Sequence, residues 1–90
     1  MFEDRSVYPD GAILEMRIWQ LPASDIERPH GLKYSLFYGG DGQRIIGYDN
    51  ERGKSDHRHY RDREEPYAFS TMEQMMADFL DDVERERGES

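Results

Sequence analysis

Leu32-Lys33-Tyr34-Ser35-Leu36-Phe37-Tyr38-Gly39-Gly40-Asp41-Gly42-Gln43-Arg44-Ile45-Ile46-Gly47-Tyr48 is the stretch that decides the fold. Over 32–38 the apolar residues fall on every second position, with Leu32, Tyr34, Leu36 and Tyr38 on one side. Alternate side chains of a strand point to opposite faces, so this run predicts a half-buried strand. The Gly39-Gly40-Asp41-Gly42 segment is a tight connection, and 43–49 continues as a second strand through Ile45 and Ile46. Toward the N-terminus, Leu14, Met16 and Ile18 alternate with Ile13, Glu15, Arg17 and Trp19, which predicts a strand over 12–21. Pro9-Asp10-Gly11 is a turn signal, because proline presets one dihedral and glycine accepts positive φ, and it separates a short strand at 5–8. Pro22 to Gly31 reads as a loop. Toward the C-terminus, 50–66 is almost wholly polar and reads as a loop or an edge. Ser70 followed by Glu73 has the spacing of a capping box. Met72, Met75, Met76, Phe79, Leu80 and Val83 then form one apolar stripe of a helix over 71–87, with Gly88 suited to its end. The expected fold is α+β: a four-stranded antiparallel meander packed by one C-terminal amphipathic helix, in a single domain spanning 1–90.

The composition narrows the chemistry. Ninety residues with 36% hydrophobic content make a small core, so a tight partner or a homodimer is a ready route to stability. With no cysteine, thiolate catalysis and cysteine-based zinc sites are excluded, and the composition fits a reducing cytoplasm. Nothing in the first ten residues reads as a signal peptide, and no apolar run approaches a membrane span. A net charge of −8 argues against general nucleic-acid binding, yet residues 51–70 carry 5 acids and 5 bases and are locally neutral. Most of the excess acid lies in residues 71–90, with 7 acids against 2 bases. The helix face with Asp78, Asp81, Asp82 and Glu84 reads as a solvated surface, or as a means of attracting a basic partner.

Gly53-Lys54-Ser55-Asp56-His57-Arg58-His59-Tyr60 is the densest concentration of proton-transfer and anion-binding groups in the chain. Three readings compete for it. If His57 and His59 share a strand face, they suit metal-free RNA cleavage: one takes the 2′-hydroxyl proton and the other protonates the leaving 5′-oxygen. Arg58 or Lys54 would stabilise the phosphorane, and Tyr67 or Glu65 would orient the reacting groups. No cofactor is expected on that reading. As metal ligands, the histidines need a third group such as Asp49, Asp56 or Asp62. The plainest reading is a polar loop with solvated histidines. Lys33, Tyr34, Asn50 and Arg52 are candidate nucleic-acid contacts: the tyrosine as a stacking surface, Asn50 at a base edge and the cations on phosphate. Against these stand ordinary roles, in which Tyr34 and Trp19 pack in the core and Asp49-Asn50 makes a turn.

The ordered blocks Asp-Gly…Trp-Gln-Leu-Pro (10–22), His-Gly-Leu-Lys-Tyr-Ser-Leu-Phe-Tyr (30–38), Tyr-Asp-Asn-Glu-Arg-Gly-Lys (48–54), His-Arg-His (57–59) and Glu-Pro-Tyr-Ala-Phe (65–69) resemble the TumE family. The resemblance implies the toxin of a prokaryotic toxin–antitoxin pair, partnered by a helix-turn-helix antitoxin. It supplies no reaction. Two functions therefore stand at this point: a small endoribonuclease acting through the histidine segment on an RNA substrate, and a non-catalytic domain that binds a partner through its sheet or its acidic helix.

Overall fold

A computed structural model describes residues 1–24, 26, 28–50 and 55–88. Six strands and one helix follow in chain order: β1 (Phe2–Val7), β2 (Ile13–Gln20), β3 (Leu32–Gly40), β4 (Gln43–Asp49), β5 (His57–Tyr60), β6 (Arg63–Pro66) and α1 (Met72–Glu86). Each strand pairs antiparallel with the next, so the sheet order is the chain order. The architecture is the expected α+β meander with a C-terminal helix, but the sheet has six strands rather than four. β1 lies at 2–7 instead of 5–8, and the region 50–66, read as a loop or an edge, holds a hairpin, β5–β6, with β6 at the edge of the sheet.

The hairpin escapes a pattern reading for two physical reasons. Its turn carries positive φ at Arg61 (57°), without the glycine or asparagine that usually marks that conformation. Its strands also carry charges where apolar residues would ordinarily alternate. The ladder to β4 is nonetheless regular, pairing Ile46 with Tyr60, Gly47 with His59, Tyr48 with Arg58 and Asp49 with His57.

The helix covers one face of the sheet. Met75, Phe79 and Val83 are buried against Leu14, Met16, Ile18, Tyr34, Leu36, Tyr38, Ile46 and Tyr48. Its N-cap is Thr71 rather than Ser70, with the Thr71 hydroxyl accepting from the Gln74 N–H at 3.0 Å. Leu80 lies off the buried stripe and is exposed. Asn50 makes no local turn: its side chain accepts from Tyr34 N–H (3.0 Å) and donates to Leu32 O (2.8 Å). It thereby extends the β3–β4 ladder by one more rung after the main-chain pairing stops at Ser35–Asp49. Trp19 lies half-buried on the face away from the helix instead of in the core, with Lys33 5.4 Å from its ring.

Candidate functional site

The same pleat that sends Ile46 and Tyr48 toward the helix sends Gly47 and Asp49 to the other face. Register then decides the neighbours. His57 stands across from Asp49, His59 across from Gly47, and Glu64 across from His59. Four groups that read as separate in the sequence thus meet on the uncovered face.

The distances are short. His57 Nε2 lies 2.7 Å from Asp49 Oδ1 and 3.2 Å from Glu64 Oε2. His59 Nε2 lies 3.7 Å from Asp49 Oδ2 and 3.8 Å from Glu64 Oε2. The two rings are 4.9 Å apart, nearly perpendicular. The histidines and Asp49 are largely shielded, with side chains 8%, 12% and 18% exposed, while Glu64 is open at 45%. A cleft of about 390 Å³ bordered by Ser55, His57, Glu64 and Pro66 gives access from solvent.

His57 has a defined tautomer. Its Nδ1 is 2.8 Å from the Ser55 carbonyl, which only accepts, so Nδ1 carries the hydrogen. Nε2 faces the two carboxylates. His59 is held below the ordinary histidine range, first by burial and then by the charge of Arg44. Arg44 comes near by crossing Gly47: a Cβ added there would meet Arg44 Cδ at 2.8 Å. Neither Arg44 nor Glu64 was singled out in the sequence. The available signals were the missing side chain at Gly47 and, had the hairpin been read, the pairing of Glu64 with His59.

Arg58, Glu65 and Tyr67 are on the helix side, away from the histidines. Arg58 Nε donates to Glu65 (2.6 Å), and its Nη1 reaches both the Tyr48 hydroxyl (3.3 Å) and Asp82 (3.4 Å). Tyr48 donates to Asp82 at 2.5 Å and Tyr67 to Asp78 at 2.6 Å. Burial and these carboxylates raise both phenols above the ordinary tyrosine value. Two of the helix's acids, Asp78 and Asp82, therefore hold the sheet rather than forming a wholly solvated face. In place of Arg58, Arg44 is the cation beside the histidine pair. Lys54 and Arg52 lie outside the described residues.

The proposed nucleic-acid contacts divide in the same way. Tyr34 is 1% exposed, stacks on Phe69 and donates to Asp56 at 2.6 Å, so its ring is not free to receive a base. Asn50 is fully buried with both ends of its amide engaged by β3, which removes it from base reading. Lys33 is exposed on the uncovered face. His30, the third histidine, accepts from Leu32 N–H at Nδ1 and lies 3.0 Å from Asp56 through Nε2. Asp56 is thereby tied to His30 and Tyr34, whereas Asp49 turns to the histidine pair.

The family described as Toxin TumE matches residues 2–87, nearly the whole chain. The chain belongs to the TumE family. It is accordingly a toxin of a toxin–antitoxin module, and an antitoxin is its implied partner. No curated protein and no solved structure matches it. For this TumE-family member, no helix among the described residues is long and apolar enough to cross a membrane.

Proposed function

We propose that this toxin acts by cleaving RNA, with the reaction centred on Asp49, His57, His59 and Glu64 and with Arg44 as the cation that meets phosphate. The observation that carries this reading is the convergence of both imidazoles on the same two carboxylates, at the border of an open cleft. Phosphodiester cleavage needs a proton acceptor at the attacking oxygen, a proton donor at the leaving oxygen and positive charge at the phosphorane. The cluster offers the first two kinds of group, and Arg44 offers the third. Lys33 and Trp19, paired across β2–β3 on the same face, add a charge and a ring suited to a single strand.

The metal-free scheme, with His57 and His59 as the acid–base pair, meets one obstacle. A phosphate reaching both Nε2 atoms must enter between Asp49 and Glu64, where like charges repel. A cation at that point would remove the obstacle. The non-catalytic reading keeps one specific support: β1 is an edge strand exposed along its whole length, a natural place for a partner strand to add.

The test is purified protein incubated with RNA, beside a His57→Ala, His59→Ala variant shown to be folded by circular dichroism. Cleavage by the parent and none by the variant is expected, with loss of growth inhibition in cells. Full toxicity from the folded variant would overturn the ribonuclease reading and leave the toxin to act through binding alone. Co-expression with a candidate antitoxin, followed by size-exclusion chromatography, would then show whether the two form a complex.

A further inference from the structure

The uncovered face brings two imidazole nitrogens and two carboxylates together beside an open cleft. His57 Nδ1 donates to Ser55 O, and the other ring nitrogen, Nε2, lies 2.7 Å from Asp49 Oδ1 and 3.2 Å from Glu64 Oε2. Imidazole nitrogens and carboxylate oxygens gathered at the border of a cleft are a donor set that a cation takes up.

We propose that Asp49, His57, His59 and Glu64 bind one divalent first-row transition ion of the zinc class, His57 and His59 through Nε2. Three arguments carry this. First, the geometry fits. A tetrahedral ion with bonds of about 2.0–2.1 Å keeps its ligand atoms about 3.3–3.4 Å apart, and the four measured separations, 2.7, 3.2, 3.7 and 3.8 Å, bracket that length. The ligand atoms of Asp49, His57 and His59 all lie within 4.8 Å of one another, and Glu64, outside that group, would close on the ion by rotation of its exposed side chain.

Second, the donor set selects the ion. Two imidazoles with two carboxylates suit zinc and its neighbours, whereas magnesium prefers six oxygens in an octahedron. Third, the surroundings support the ligands. The Ser55 carbonyl fixes His57 with Nε2 free for the metal, as outer-shell partners of ligating histidines commonly do. The strand register sets the other ligands, because Asp49, His57, His59 and Glu64 come from three adjacent strands of one sheet. The side chain most open to solvent, Glu64, is the one that a substrate oxygen would displace.

The metal site deepens the ribonuclease reading but is measured independently of it. Untagged full-length protein is titrated with Co2+ and followed by visible absorption and calorimetry, then with Zn2+ in competition. The expected result is one Co2+ per chain with the intense absorption of a tetrahedral ion, displaced by Zn2+. Asp49→Asn and His59→Gln should each weaken binding at least about tenfold, the scale seen even for outer-shell changes, while Arg5→Ala, at an exposed position of β1, binds as the parent does. Should either ligand variant fail to fold, Glu64→Gln, at an exposed side chain, makes the same test. Cobalt that keeps its octahedral spectrum, or folded ligand variants that bind as tightly as the parent, would overturn the site. Cobalt binding without RNA cleavage upholds the site and removes the ribonuclease reading. Cleavage by a protein that binds no ion does the reverse.

Discussion

Strands β4, β5 and β6 build two polar clusters back to back, and the two are finished in different ways. Toward the helix, Tyr48, Arg58, Glu65 and Asp82 form a closed network in which cation, phenol and carboxylates answer one another. Its partners raise the Arg58 guanidinium above its ordinary value, through bonds to Tyr48 and Glu65 first. Away from the helix, Asp49, His57, His59 and Glu64 set two imidazoles against two carboxylates beside an open cleft. Alternate residues of the same strands thus hold the helix in place and assemble the candidate site. Polar density does not by itself mark function. What separates the clusters is that one is closed against the helix and the other borders a cleft open to solvent.

The comparison breaks most visibly on the covered side. Phe79 is fully buried under the Tyr48 ring, so Phe79→Ala should cost about 3–5 kcal/mol, read as a large fall in the denaturant midpoint. Next comes the metal's own effect on the uncovered side. Zn2+ free at a hundredfold over its dissociation constant should add about 2.7 kcal/mol to stability, seen as a higher melting temperature that Asp49→Asn abolishes. Asp82→Ala is of similar size and opposite sign. It leaves the buried Tyr48 hydroxyl without its acceptor and should cost about 1–3 kcal/mol, with RNA cleavage retained at temperatures where the variant is folded.

His59→Gln sharpens the contrast. Without added metal its stability should stay within about 1 kcal/mol of the parent, because no apolar packing is lost, while RNA cleavage and growth inhibition disappear. A stability loss as large as that of Asp82→Ala would show that the two clusters are both structural. Gly47→Ala should have the smallest effect. The new methyl meets only the flexible Arg44 side chain, so stability should change by no more than about 0.5 kcal/mol, and cleavage should fall as Arg44 is pushed from His59.

The legible parts of the fold were those with a local cause. Leu14, Met16 and Ile18, and then Tyr34, Leu36 and Tyr38, alternate because each strand has one face in the core, and all six are buried. Met75, Phe79 and Val83 repeat at helical spacing for the same reason. β5 and β6 were hidden because their helix-facing positions carry Arg58, Tyr60 and Glu65. These are stabilised by pairing with one another and with the helix acids, not by apolar burial.

Of the candidate site, the sequence by itself determined only that His57 and His59 share a face if their segment is a strand, since positions two apart on a strand must. It also named Asp49 among the carboxylates that might complete a ligand set. Only the tertiary structure decided the rest. The register between β4 and β5 chose Asp49 over Asp56, and the hairpin at Arg61 delivered Glu64. The bare backbone at Gly47 let Arg44 cross, and the pleat sent Arg58, Glu65 and Tyr67 to the opposite side. The physical reason is that a one-residue slip in register reverses every side chain of a strand. Register is set by pairing with a neighbour, and no single segment carries it.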